Sequence, residues 1–363
     1  MNRFLSLLIA APIGIAILAG CPSDPAVRDE NDPSTLQAPP KGQGFQFRTP
    51  TFSVEAGQER QDCYFVKIRT LAEAGGLNPD EPVNLHRVQI VQRDGSHHMN
   101  LFRVRTIVNL DPEKGTSLGL NGQGECFKSS NWADWPLVAN TQQDGQIDWT
   151  FPEGVANVFQ PDEWIMLQTH YVNAGSQKTP EGAEVAINWY TIPKEKVQHE
   201  MGTVFATKQS IRVCRSNPKP EFSGTCQFKN PTQEVHIIGA NGHFHGRGKN
   251  FDMFSWDGTS ITKPADSARF YHSQTWDDPP MLRSPGLDLK LPPGSGVFYT
   301  CNYQWLPPAD SAGGCAALDA ADTKTKDPKD CCYTFGPIVE KNEHCNAFVY
   351  YWPKQETGDV FCN

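Results

Sequence analysis

A tandem pair of histidines, His97 and His98, follows a turn formed by Asp94 and Gly95. Neighbouring side chains of a regular strand point to opposite faces, so the pair can share one metal ion only at a strand end or a bulge. The alternative is a polar loop that carries two solvated histidines. Taken alone, the pair fits the loop better.

A second pair, His243 and His245, is separated by one residue. On a strand such residues project to the same face and can share one ion. The alternative is a polar strand face beside a glycine-rich turn. It is less favoured, because Gly242 and Gly246 leave room for an ion and its substrate.

Two single histidines lie in or beside apolar runs. His170 lies in the run Trp164–Tyr171, where an imidazole is costly to bury without a partner. His344 precedes a run, from Cys345 to Tyr351, that is expected to be mostly buried. A hydrogen-bonded core histidine explains His170 equally well, and His344 alone says little.

The elements that carry these histidines are expected to be strands of two β domains. The 363 residues exceed what one hydrophobic core usually organises. Proline (29) and glycine (30) are plentiful, and short runs alternate apolar with polar residues. We therefore predict an all-β fold with one domain over 45–195, a second over 196–363, and the link within Lys194–Glu200.

The strand runs predicted for the first domain are Phe45–Val54, Cys63–Arg69, Asn84–Gln92, Met99–Val108, Trp164–Val172 and Glu184–Ile192. Those predicted for the second domain are Val204–Cys214, Glu234–Phe244, Asn250–Trp256, Ala268–Trp276, Val297–Trp305 and Cys345–Trp352. Residues 307–330 lack strand periodicity. We predict a surface loop there, pinned by Cys315 and by Cys331 or Cys332.

The beginning of the chain is predicted to direct export and attachment. After a basic residue, an apolar run from Phe4 to Leu18 leads into Leu-Ala-Gly-Cys, which resembles the bacterial lipobox. We predict a lipoprotein signal peptide over 1–21, lipidation of Cys21, and a flexible tether over 22–44. The alternatives are an ordinary secretory signal or a membrane helix, for which the run is short. The expected location is the bacterial cell envelope, in the outer membrane, because proline follows Cys21.

Composition excludes several other classes of protein. The net charge is −9 and no stripe of lysine or arginine occurs, which argues against nucleic-acid binding. The eleven cysteines minus Cys21 leave ten, an even number that favours disulfides in an exported chain. The chain has no paired CxxC motifs, so a zinc ribbon is disfavoured.

Taken in order, the histidine segments resemble the copper type II ascorbate-dependent monooxygenases, which include peptidylglycine α-hydroxylating monooxygenase and dopamine β-monooxygenase. The resemblance extends from about Cys63 to Trp352. The similar segments are His97-His98-Met99 (HHM), Pro152-Glu153-Gly154-Val155, Leu167-Gln168-Thr169-His170-Tyr171 (LQxHY), His243-Phe244-His245 (HxH) and Glu343–Tyr351, which carries the last ligand.

This resemblance implies two consecutive jelly-roll β-sandwiches whose two copper sites face each other across a solvent-filled cleft. It implies an electron-transfer site made of His97, His98 and His170. The catalytic, dioxygen-binding site would be made of His243, His245 and His344. The expected partners are dioxygen, a one-electron reductant such as ascorbate, and a small-molecule or peptide substrate. We expect a monomer that touches the membrane only through its lipid.

Two departures from the family pattern bear on function. The family has a methionine where His344 stands, and imidazole suits Cu(II), zinc or nickel where a thioether favours Cu(I). In the peptide-amidating members an arginine and a tyrosine hold the substrate carboxylate, and these places are Asn241 and Phe348 here. Asn346 is retained, so the resemblance implies Asn241, Asn346 and Phe348 as the substrate-binding residues. The alternative functions are a copper-binding or copper-relay lipoprotein and a scaffold with incidental histidines.

The resemblance also implies disulfides. Cys63–Cys126 would staple the first domain, and Cys301–Cys345 would fix the segment of His344. A third pair, Cys226–Cys362, competes with Cys214–Cys226, and the sequence leaves that choice open.

Overall fold

The computed structural model describes residues 31–105, 117–119, 135–141, 145–230, 232–309, 313–322, 329–336 and 339–363. Residues 31–363 form one compact unit. The predicted signal peptide and its lipidation site, Cys21, lie outside the described residues. Among the residues described, no helix is long and apolar enough to cross a membrane.

The first half of the chain is built from short strands and one short helix. They are β1 (Gly44–Arg48), β2 (Thr51–Phe52), β3 (Glu59–Lys67), α1 (Ile68–Ala74), β4 (Val83–Gln92), β5 (Ser96–Arg103), β6 (Ser117–Gly119), β7 (Leu137–Thr141), β8 (Gln146–Thr150), β9 (Val155–Phe159), β10 (Trp164–Val172), β11 (Gly182–Ala183) and β12 (Val185–Thr191). The predicted run Trp164–Val172 is a strand over its full length.

The second half is also made of strands, with one helix. They are β13 (His199–Glu200), β14 (Gly202–Thr207), β15 (Arg212–Val213), β16 (Glu221–Gln227), β17 (Val235–His243), β18 (Gly248–Trp256), β19 (Arg269–Ser273), β20 (Leu282–Arg283), β21 (Leu289–Leu291), β22 (Gly296–Tyr303), α2 (Gly314–Ala321), β23 (Tyr333–Phe335), β24 (Asn342–Glu343), β25 (Asn346–Trp352) and β26 (Val360–Cys362).

Each half folds into a β-sandwich, which confirms the predicted all-β class. In the first sandwich a six-stranded sheet of order β1-β12-β4-β9-β13, with β8 beside β4, packs on a five-stranded sheet of order β6-β3-β10-β5-β7. In the second, a six-stranded sheet of order β20-β17-β25-β14-β26, with β21 beside β17, packs on the four-stranded sheet β16-β22-β18-β19. These strand counts refer to the described part of the chain.

Alternation along the strands directs the side chains of the facing sheets. Met99 and Leu167 point into the first core, so their neighbours on β5 and β10 point outwards. Ala347 and Val349 point into the second core, so Phe348 points out towards the first sandwich. The outer faces of the β10 sheet and the β25 sheet therefore meet each other.

The two sandwiches share an apolar interface. Ile238 and Tyr350 of the second half belong to the same buried cluster as Trp149 of the first. The rings of Trp149 and Tyr350 are 5.2 Å apart, and Trp149 Nε1 donates to Ser284 Oγ at 3.0 Å. Contacts of this kind hold the two outer faces in a fixed relation.

Three expectations about local structure need correction. The flexible tether predicted over 22–44 is described from Asn31, and from there it lies along the first sandwich, where Asn188 Nδ2 donates to the carbonyl of Gln37 at 2.6 Å. The link predicted at Lys194–Glu200 ends in β13, which pairs with β9 of the first sandwich. The loop predicted over 307–330 contains α2. Local composition misses the first two, because the partners of these segments are distant in sequence.

The disulfides tie the second sandwich together. The predicted bridge Cys301–Cys345 forms, and Cys226–Cys362 forms instead of Cys214–Cys226. The remaining bridges among the described residues are Cys214–Cys332 and Cys315–Cys331. Cys63 is disulfide-bonded, but its predicted partner, Cys126, lies outside the described residues. That pairing stays a prediction.

Candidate metal centres

The first triad, His97, His98 and His170, lies on adjacent strands of the five-stranded sheet. His98 on β5 pairs with His170 on β10. The next pair joins Ser96 to Tyr171, which leaves His97 as the extra residue of a β-bulge. A bulge redirects one side chain, so the rings of two consecutive residues can turn to one side. The three ring centroids are 5.2–5.3 Å apart.

Hydrogen bonds orient the rings of the first triad. The Nδ1 atoms of His97 and His98 are 3.0 Å apart. His170 Nε2 lies 2.8 Å from Glu59 Oε2. An ionised carboxylate only accepts, so Nε2 of His170 carries the proton and Nδ1 is left with a free lone pair. This is the arrangement in which a carboxylate orients a metal-binding histidine.

The second triad, His243, His245 and His344, gathers where two strands end. His243 is the last residue of β17, and His245 lies in the turn that follows. His344 lies between β24 and β25. Their ring centroids are 4.5–5.3 Å apart.

A buried ion pair supports the second triad. His245 Nδ1 donates to the carbonyl of Asn342 at 2.9 Å, so its Nε2 is the nitrogen free to bind a metal. Glu343, which is fully buried, accepts from the backbone N–H of His245 at 2.9 Å and from Arg247 Nε at 2.6 Å. The contact fixes the turn that carries His245 against the segment that carries His344.

Burial lowers the pKa values of five histidines of the two triads. Desolvation lowers the pKa of His243 to about 4 and that of His245 to about 3. It also holds the pKa values of His98 and His344 well below the usual value for histidine, and it lowers the pKa of His97. A neutral imidazole is the form that binds a metal ion. These residues need not lose a proton before binding near neutral pH.

The donor atoms fit a metal ion in each triad. One nitrogen from each ring of a triad lies within 4.8 Å of the other two. Ligand nitrogens around a tetrahedral ion at about 2.0 Å lie about 3.3 Å apart, close to the separation of the two Nδ1 atoms at the bulge. Nδ1 of His344 is buried and has no hydrogen-bond partner. Leaving such a nitrogen unsatisfied costs about 1–3 kcal/mol, which a bound ion would remove.

Both triads line one cavity of about 110 Å³ between the two sandwiches. Trp276 of the second sandwich reaches across it, with its ring centroid 5.9 Å from that of His97. Burial is the main cause of the lowered pKa of His98. His170 and His97 of the same triad lower this pKa further, and so do His243 and His245 of the other triad. Both triads therefore face one chamber between the two sandwiches, and the filling of this chamber by solvent stays a prediction.

The three residues implied in substrate binding also line this chamber. The Asn241 side chain donates to the carbonyl of Pro280 at 3.2 Å. The carboxamide oxygen of Asn346 accepts from the Thr207 hydroxyl at 2.7 Å. Phe348 stacks on Phe205, with ring centroids 5.0 Å apart.

The histidines outside the family motifs have other partners. His86 contacts the carbonyl of Val155 at 2.8 Å, and His272 contacts Asp252 at 2.7 Å. His199 and His236 stack on Trp352, with ring centroids at 4.6 Å and 3.8 Å. A further group of possible ligands, Cys214, Asp330 and Cys332, offers no thiolate, because its two cysteines form a disulfide.

Sequence reasoning missed most of the residues that support the triads. Glu59 and Trp276 are distant in sequence from His170 and His97, which they contact, and Arg247 is distant from its partner Glu343. No local pattern marks these three residues. Glu343 is the exception: an acidic residue in an otherwise apolar segment, directly before His344, is costly to bury without a partner. That cost could have drawn attention to it.

No known protein family matches the chain, and no curated protein matches it. Solved structures that match it over most of its length do so with very low similarity. The Macrobrachium rosenbergii nodavirus structure shares 7% identity over 94% of this chain and 98% of that chain, with a TM-score of 0.18. The infectious bursal disease virus VP2 subviral particle shares 8% identity over 88% and 74%, with a TM-score of 0.19. The tandem CBM22-1–CBM22-2 domain of Xyn10C from Paenibacillus barcinonensis shares 10% identity over 88% and 89%, with a TM-score of 0.16. TM-scores this low carry no argument about fold or function.

Proposed function

We propose that the protein is a copper-dependent monooxygenase that hydroxylates a C–H bond. The observation that carries the proposal is the presence of two histidine triads that line one chamber. Copper bound there would supply one-electron redox chemistry and activation of dioxygen. In the overall reaction one oxygen atom enters the C–H bond. The other leaves as water, with two electrons and two protons drawn from a one-electron donor such as ascorbate and from solvent.

The residues of the chain have distinct tasks in this proposal. His243, His245 and His344 would hold the copper ion that supplies dioxygen activation, and the contact of His245 with Asn342 keeps one of these rings in a single tautomer. His97, His98 and His170 would hold the copper ion that supplies electron transfer. The chamber walls would limit the access of bulk water, which would protect the substrate from side reactions.

The alternative function is a copper-binding or copper-relay protein. One observation favours it: His344 makes the second triad an all-imidazole donor set, like the first. Such a set binds Cu(II) well and lacks the thioether that favours Cu(I). A protein that holds two Cu(II) ions without reducing dioxygen would store or deliver copper.

Copper content per chain and ascorbate-dependent oxygen consumption separate these functions. Two copper ions per chain, with oxygen uptake that increases when a substrate is added, support the monooxygenase. Two ions with no substrate-dependent uptake contradict it and leave the copper-binding function. Less than one tightly bound ion per chain contradicts both. The His245→Ala variant is the control, because any uptake that persists in it does not come from the second triad.

The proposed location is the bacterial cell envelope, with the chain exported and attached by lipid at Cys21. The disulfides among the described residues support export, because such bridges persist in oxidising compartments. Metabolic labelling with a radioactive fatty acid tests the attachment. The label should enter the wild-type protein and be absent from Cys21→Ser.

A further inference from the structure

The chamber between the triads has a wall chemistry that restricts what can enter it. None of the described residues that line it is an aspartate, glutamate, lysine or arginine. An ionised group of a substrate would lose its water there without meeting a side chain of opposite charge. Only a bound metal ion could compensate it, and the group would then occupy a coordination position.

The size of the chamber sets a second limit. An apolar cavity of about 150 Å³ in a protein core is large enough to bind benzene. The chamber, at about 110 Å³, is of the same order. Drug-sized ligands and peptides fill pockets of roughly 300–1,000 Å³. A substituted single ring or a short aliphatic chain is therefore the upper limit of size.

Aromatic side chains supply the apolar part of the wall. Phe205 and Phe348 stack on each other with an angle of 8° between their rings, and Phe102 and Trp276 also line the chamber. These flat surfaces suit the face or edge of an apolar group.

The amide side chains of the wall are mostly bonded to one another, with one exception. Asn100 donates to Gln168 at 3.1 Å, and Asn140 donates to Asn241 at 3.3 Å. Oδ1 of Asn140, however, is buried and has no hydrogen-bond partner, and the residue is only 2% exposed. A ligand in the chamber that brings an N–H or O–H donor would satisfy this oxygen.

We infer that the substrate of this chamber is an uncharged, compact molecule with an apolar body and one N–H or O–H donor that bonds to Oδ1 of Asn140. That this molecule is hydroxylated rests on the proposed function. Its size, its lack of charge and its donor group are inferred from the chamber alone. It disfavours the peptide substrates that the resemblance left open, because a peptide with a free carboxylate is too large and carries a charge.

Three probes of nearly equal shape test the inference by calorimetric titration of the metal-free protein at pH 7, in which no ion can coordinate a carboxylate. Benzamide is neutral and has a donor, acetophenone is neutral without a donor, and benzoate is charged. We expect benzamide to bind about three- to tenfold more tightly than acetophenone. We expect benzoate to bind at least about tenfold more weakly than benzamide. Benzoate binding within threefold of benzamide overturns the inference.

Two variants locate the binding. Asn140→Leu should lower the affinity for benzamide to that for acetophenone and leave acetophenone unchanged. Phe348→Ala should admit 2-naphthamide, which the wild-type chamber rejects. Phe361→Ala is the matched control, because Phe361 also contacts Phe205 but lies outside the chamber. Benzamide binding that is unchanged in Asn140→Leu overturns the role of Asn140.

These titrations, taken together with the copper content and the oxygen consumption, distinguish the two proposals. If copper does not bind or oxygen is not consumed, but the order of the probes holds, the proposed reaction is wrong and the class of ligand stands. If ascorbate-dependent oxygenation is found and the order of the probes fails, the class of ligand is wrong and the reaction stands.

Discussion

The two histidine triads face the same chamber, but the protein orients them in different ways. In the first triad, His170 contacts Glu59 through Nε2, so Nδ1 is its free nitrogen. In the second, His245 contacts a backbone carbonyl through Nδ1, so Nε2 is free. The first depends on a bulge in the middle of a sheet, and the second on a turn between two strands. The comparison shows that one set of ligands can be built from different local structures.

The carboxyl groups next to the two triads differ even more. Glu343, beside His344, is paired with Arg247. Glu184, also fully buried, accepts a hydrogen bond of 2.5 Å from the hydroxyl of Ser96, which precedes His97. Burial raises the pKa of Glu184 to about 7, and the nearby charge of Asp62 adds to the effect. The second triad is thus supported by an ion pair, whereas the first lies beside a carboxyl group that is partly protonated at neutral pH.

The largest expected effect comes from removing one ligand of either triad. His245→Ala and His170→Ala should each lower the copper content from two ions per chain to about one. The affinity of the altered site should fall by more than about 100-fold, because loss of an outer partner alone costs 10–100-fold. Metal analysis after dialysis measures the content. His272→Ala is the control, and loss of both ions in either variant would show that the triads do not load independently.

The next largest effect is on stability, and it should differ between Glu343, which supports the second triad, and Glu59, which supports the first. Glu343→Gln should lower the free energy of unfolding by about 3–5 kcal/mol, because Arg247 would be left buried without its partner. Glu59→Gln should change it by less than about 1 kcal/mol, because the Glu59 side chain is 39% exposed. Urea denaturation of both variants measures the difference. Equal effects would contradict the distinction between a buried and an exposed support.

The third prediction concerns pH and the carboxyl group beside the first triad. The pKa of Glu184 is about 7 in the folded protein against 4.5 when unperturbed. The contribution of protonated Glu184 to the free energy of unfolding is therefore fully present below about pH 4.5, and it is lost as the pH rises to 7. Compared with Glu184→Gln, the metal-free wild type should lose up to about 1.4 kcal/mol of unfolding free energy per pH unit in this range. Denaturation at several pH values measures this, and a constant difference between the two proteins would refute it.

The smallest effect should come from the orienting contact of the first triad. Glu59→Gln keeps an acceptor for His170 Nε2 but removes the charge, so the copper affinity of the first triad should fall about tenfold. The second triad should keep its affinity, because its supports are on other elements. Competition with a chelator of known affinity measures both sites. A change at the second triad would show that the two sites are coupled.

The sequence alone identified a large part of the candidate sites and the fold class. The spacing of His243 and His245, and the turn before His97 and His98, are local features that survive folding unchanged. The all-β class follows from alternation with a period of two, which is also local. For the same reason most predicted strands agree with the structure to within a few residues. The strands β7, β8, β9 and β16 were not predicted.

The tertiary structure decided everything that depends on distant partners. Glu59 lies 111 residues from His170, and Arg247 lies 96 from Glu343. The width of the chamber depends on how the interface around Trp149 and Tyr350 sets the sandwiches against each other. Sequence periodicity reports which face of a strand is buried, but it does not report which distant strand covers that face. The candidate ligands were therefore identifiable from the chain, while their supports and the shape of the chamber came only from packing.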